Sequence, residues 1–95
     1  MGVEIVTEGQ YLAVFNSTHR VLKAEGLLKA RSISIMLIPA PRAVQADCGL
    51  AIRFDENQHD TIMQFLSDQN LLPAFLCQLK NGTYNIIQEY HHENH

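Results

Sequence analysis

Cys48 is the residue of this chain best suited to do chemistry. It stands near the end of an 11-residue stretch, Pro39-Ala40-Pro41-Arg42-Ala43-Val44-Gln45-Ala46-Asp47-Cys48-Gly49, between two strand-like segments. Extra length with stiff residues costs a fold little, and such connections often carry function. A thiolate is a strong nucleophile and a soft ligand, and it becomes available when the thiol pKa falls. Arg42 inside the stretch and Arg53 beyond it could favour the anion, and a helical turn over residues 42–46 would add its dipole. Asp47 pushes the other way. The competing reading is a small buried thiol at the start of a strand, because free cysteine is among the most buried residue types. No histidine is placed nearby by sequence, so a Cys–His hydrolase lacks support.

The other candidates are weaker. Cys77 alternates within a strand and reads as a core residue. With 28 residues between them, the two cysteines form no CxxC and no disulfide scaffold, and in a reducing cytosol both are free thiols. The tail His91-His92-Glu93-Asn94-His95 has metal-ligand types, but a frayed terminus would pay ordering entropy to present them. His59 opens a helix and reads as packing or solvated. The scattered glycines spell no phosphate loop, and no carboxylate pair is positioned for acid–base work. Neither a cofactor nor a resident metal is expected.

These residues need elements to hold them. Tyr11-Leu12-Ala13-Val14-Phe15 is a continuous apolar run of strand length, suited to a central strand buried on both faces. Asn16-Ser17-Thr18 offers helix caps, and Val21, Leu22, Ala24, Leu28 and Ala30 follow at helical spacing. Ile33–Ile38 is a second strand, stopped by Pro39 and Pro41. Leu50–Phe54 is a third, with Leu50, Ile52 and Phe54 facing the core. Asp55-x-x-Gln58 has capping-box form and opens a second helix that ends near Asn70. Phe75–Leu79 and Tyr84–Gln88 flank Asn81-Gly82, the strongest turn signal in the chain, and make a hairpin. Residues 1–10 read as a loose or short extended start.

The order predicts an α+β fold of ferredoxin-like, split-βαβ type (β-α-β-β-α-β) with an added C-terminal hairpin strand. Both helices would pack on one sheet face, and the other face, carrying Ala51 and Arg53, would be open to a partner. Residues 1–95 make one domain, with a core over about 10–88 and a frayed tail over 89–95. Hydrophobic residues at 46% and charged residues at 18% exclude disorder as the main state. A net charge of −3 argues against nucleic acid. The longest apolar run, Ile35–Ile38, is far too short to cross a membrane. The start has no basic, apolar leader pattern, and the expected location is cytoplasmic.

Beyond these patterns the chain resembles a known family. Tyr11–Phe15, Ser17-Thr18-His19 and Ala24-Glu25-x-Leu27-Leu28-Lys29 are similar to the opening of the bacterial sulfur/selenium (Se/S) carrier-like family. Leu37-Ile38-Pro39-x-Pro41-Arg42 and Asp47-Cys48-Gly49-Leu50-Ala51-Ile52-Arg53-Phe54 match it better, and the likeness spans roughly residues 10–75. The resemblance implies a carrier rather than a turnover enzyme. Cys48 would hold a persulfide or selenopersulfide, received from a cysteine desulfurase or other donor protein and passed to an acceptor. Arg42 or Arg53 would stabilise the thiolate, and Gly49 would let a partner approach the backbone. Thr18 and His19 are secondary candidates, and sequence alone does not place them beside Cys48. Ala40 and Ala46 depart from the hydroxylated residues expected there and remove two hydrogen-bond donors. The alternative is a non-enzymatic binding or regulatory module, assembling as a homodimer or with a partner through its sheet face or the Phe75–Gln88 hairpin.

Overall fold

The structure, a computed structural model, describes residues 5–44 and 49–90. In chain order the elements are β1 (Tyr11–Val14), α1 (Thr18–Ala30), β2 (Met36–Pro39), β3 (Leu50–Phe54), α2 (His59–Asp68), β4 (Phe75–Lys80) and β5 (Thr83–Glu89). The five strands form one sheet in the order β2-β3-β1-β4-β5, and every neighbouring pair is antiparallel. The α+β class is as expected. With β5 at its margin, the order differs from that of a four-stranded ferredoxin-like sheet.

β1 is central because its side chains are apolar on both faces: Leu12, Ala13 and Val14 have no exposed area. Ala13 and Phe15 point to the helices with Ile52, Phe54 and Leu76. Val21, Ala24 and Leu28 from α1 and Ile62, Met63 and Leu66 from α2 close over them, at the three- and four-residue spacing of a helix face. Ser17 caps α1, its Oγ accepting from the Arg20 N–H at 3.3 Å.

The face away from the helices is not open. Leu12, Val14, Ala51 and Cys77 are fully buried there, beneath Val6 from the N-terminal segment and Ala40 and Val44 from the β2–β3 connection. Fully burying side chains such as Leu12 and Val14 favours folding by about 1.5–3 kcal/mol each, which explains why this face is covered. The N-terminal segment is tied down rather than loose. Gly9 N–H donates to Leu79 O at 2.7 Å, Glu8 accepts from Asn81 N–H at 2.6 Å, and Arg53 Nη1 donates to Ile5 O at 2.6 Å.

Two boundaries differ from expectation, and one turn forms as expected. Pro39 is the last residue of β2 rather than its stop; it pairs with Leu50 on an edge strand, where a missing N–H is tolerated. The Asp55 box does not form. Asp55 Oδ1 accepts from Gln10 Nε2 at 2.8 Å, and Glu56–Gln58 make a 3-10 turn before α2 starts. The Asn81-Gly82 turn has positive φ at both residues (53° and 75°), as a type I′ turn requires.

Candidate functional site

The connection from β2 to β3 is a closed loop. Pro39 and Leu50 are cross-strand partners, and one residue further Ala40 N–H donates to Gly49 O at 2.9 Å. Gly49 holds φ +72°, a left-handed conformation that glycine adopts without penalty, and a Cβ there would meet nothing within 4 Å. Inside the neck, Arg42–Val44 form a 3-10 turn in which Val44 N–H donates to Pro41 O at 2.9 Å. Val44 turns inward against the helix-free face, while Arg42 and Ala43 are exposed. Two small apolar anchors, Ala40 and Val44, therefore hold the first part of the connection against the sheet.

Cys48 and Asp47 lie outside the described residues, as do Gln45 and Ala46 at the end of the expected helical turn and residues 91–95 with the histidine-rich tail. Gly49, the residue after Cys48, stands half-buried at the neck. Arg42 belongs to the same loop. Arg53 sits at the other end of β3, four residues from Gly49, or about 13 Å along a strand. Its guanidinium holds the Ile5 carbonyl. The structure thus gathers Arg42 and Gly49 in one loop and sets Arg53 apart from them.

The register answers what sequence left open about Thr18 and His19. Val14 pairs with Ala51, so the exit of β1 and the entry of β3 lie at one end of the sheet. The exposed residues Thr18 and His19, at the start of α1, share that end with the β2–β3 loop. Strand order carries this information, and the chain's local patterns do not.

Cys77 is a core residue, as expected. It has no exposed area, and burial pushes its thiol up to about 11 from an ordinary 9.0. His59 packs on Tyr11, with ring centroids 4.8 Å apart, and its Nδ1 lies 2.8 Å from Asp60 Oδ1. Burial, with Glu56 and Asp60 nearby, raises the Tyr11 phenol. An open groove of about 360 Å³ runs along α2, where His59, Asp60, Gln64 and Ser67 face Leu72 and Tyr90. Sequence reading missed this groove, because no local pattern marks a gap between elements. Among the described residues no group of three His, Cys, Asp or Glu is placed to hold a metal, and no helix is long and apolar enough to cross a membrane.

The sheet keeps the Cys77 thiol out of reach. Comparison with known proteins agrees with the motif reading. The family model described as "Putative Se/S carrier protein-like" matches residues 10–78, from the residue before β1 into β4. The match includes Pro39-Ala40-Pro41-Arg42 and Cys48-Gly49 and leaves out β5. No curated protein and no solved structure matches the chain. On a match that takes in β1, both helices and the whole β2–β3 loop, the chain belongs to the Se/S carrier protein-like family.

Proposed function

We propose that this chain carries sulfur or selenium on Cys48 as a persulfide or selenopersulfide. The observation that carries the reading is the state of the other thiol. Cys77 is fully buried and its pKa is about 11, so it is a poor nucleophile near neutrality. The transfer chemistry then falls to Cys48, in the loop that bears the family's Pro-x-Pro-Arg and Cys-Gly elements. We read the frame that holds this loop as a ferredoxin-like core with one strand added.

In the proposed step the Cys48 thiolate attacks the outer sulfur of a donor protein's persulfide. A new S–S bond forms at Cys48, the donor's S–S bond breaks, and the donor leaves as a thiolate that takes up a proton. The moved sulfur keeps its oxidation level, so no external oxidant or reductant is needed. The same exchange on an acceptor thiol unloads the carrier. Arg42, exposed in the loop, is the cation that favours the Cys48 anion, and Gly49 leaves the backbone open to a donor. Arg53 acts less directly, by fixing the N-terminal segment across the sheet. The donor class is a cysteine desulfurase, and the setting is the bacterial cytoplasm.

The test is the pH dependence of alkylation at each cysteine, read by intact mass, with Cys48→Ala and Cys77→Ala as controls. Fast reaction at Cys48, with a thiolate pKa below about 7.5, is expected. A Cys48 that reacts only on unfolding would end the proposal. A second reading, a binding module that uses its C-terminal hairpin, draws on Ile86 and Ile87, which are 55% and 47% exposed on β5. It requires a stable assembly indifferent to Cys48→Ala.

A further inference from the structure

The two helices carry opposite charge. Residues 20–31 hold Arg20, Lys23, Lys29 and Arg31 against the single Glu25, a local charge of +3 in a chain of net −3. Residues 55–68 hold Asp55, Glu56, Asp60 and Asp68, with no Lys or Arg. The helices share one core and lie side by side. Arg31 Cζ stands 5.0 Å over the Phe65 ring, and Arg20 Nη2 donates to the carbonyls of Asn70 and Leu72 at 3.1 and 3.2 Å.

Among the described residues, however, no ion pair joins α1 to α2. Lys29 pairs with Glu25 of its own helix at 2.7 Å, and Glu56 reaches Lys80 on β4 at 3.8 Å. Asp60 sits on His59, and Asp68 accepts from Gln64 at 2.9 Å. Lys23, Lys29, Arg31, Asp60 and Asp68 are all exposed. The opposite charges point outward rather than at each other.

Two neighbouring antiparallel helices of opposite charge are self-complementary. A two-fold axis in the plane of contact, running between them, sets α1 of one copy on α2 of the other and repeats the match by symmetry. The outer surfaces permit close approach. Leu22, Gly26 and Ala30 recur every fourth residue on α1 and are exposed, Leu22 by 46%, and a Cβ at Gly26 would meet nothing within 4 Å. On α2 the exposed Thr61, Gln64 and Ser67 lie between the two aspartates.

We propose that this helix layer is a contact surface between two copies of the chain, matched by α1–α2 charge pairing. With α1 about 20 Å long, α2 about 15 Å and each about 10 Å wide, the layer gives roughly 350 Å² per partner, less than half of what a standard stable interface buries. The dimer is therefore weak, reversible and salt-sensitive. It lies on the sheet face opposite to Ala40 and Val44 of the β2–β3 loop.

Sedimentation velocity and light scattering of the whole chain, from micromolar to millimolar, test this. In about 20 mM NaCl the mass rises with concentration from 10.8 kDa toward twice that value, and about 500 mM NaCl returns it to monomer. Lys23→Glu with Lys29→Glu weakens association by at least about tenfold, and so does Asp60→Lys with Asp68→Lys. Combining all four restores it. Circular dichroism confirms that each variant stays folded, and the salt series on the unsubstituted chain stands without any variant. A monomer at millimolar concentration in low salt overturns the proposal. So does a dimer that survives both reversals but is lost on Ile86→Lys, which would move the contact to the hairpin.

Discussion

Raising the pH from 8 to 10 tests the burial of Cys77 directly. Its thiol, near 9.0 when free, is pushed up to about 11 in the fold, so the folded chain holds the proton more tightly than the unfolded one. The resulting stability is fully present below about pH 9 and is lost as pH rises toward 11. Integrated over the two pKa values, the loss between pH 8 and 10 is about 1 kcal/mol, with a ceiling of about 3 kcal/mol well above pH 11. The Tyr11 and Tyr90 phenols are also raised by burial and act in the same direction, so the overall slope does not isolate the thiol. Cys77→Ala isolates it. The substitution leaves a small void beside Leu12 and costs about 1–2 kcal/mol at pH 8. Its further loss on going to pH 10 should be smaller than that of the unsubstituted chain by about 1 kcal/mol. Urea unfolding of both chains at the two pH values, with equal m-values, measures the difference. Equal losses in both chains would refute a neutral, buried thiol in the folded state.

Two glycines give opposite expectations. Gly49→Ala should destabilise by about 1–2 kcal/mol in urea unfolding, because φ +72° penalises any Cβ although space is free around it. Gly26→Ala should stabilise by about 0.5–1 kcal/mol, since its helical site is open and only backbone entropy is at stake; a loss of stability there would mean that the outer face of α1 is not free.

Local signals were legible where one interaction decides the outcome. The apolar run at Tyr11–Phe15 leads to the central strand, the alternation in Leu50–Phe54 to its core-facing side, and Asn81-Gly82 to the turn. The Ser17 cap and the spacing of Val21, Ala24 and Leu28 mark α1 from its first turn. What failed depends on contacts distant in sequence. Nothing near Val6 announces that it covers Leu12, and nothing in Val44 announces that a loop residue shares its cluster with Cys77. Asp55 was drawn from its capping role by Gln10, 45 residues away. At the candidate site, the loop and its Cys-Gly element were readable from residue types. The separation of Arg53 from Arg42 was not, because it follows from Arg53 lying at the far end of β3 and from its bond to Ile5.

The hydrogen bond from Ala40 to Gly49 has a consequence for how such chains diversify. It brings the two ends of the loop together directly beyond the last paired rung, Pro39 with Leu50. A segment joined this way is a cassette. It can lengthen, shorten or be exchanged while the strands on either side keep their partners, and each doubling of its length costs only about 0.6 kcal/mol of closure entropy. Among the described residues, the small side chains Ala40 and Val44 tether the loop to the sheet. Chains built on this scaffold can therefore change or lose Cys48 at little risk to folding. Transplanting residues 40–49 onto another antiparallel hairpin should in turn carry with it the thiol chemistry proposed for Cys48.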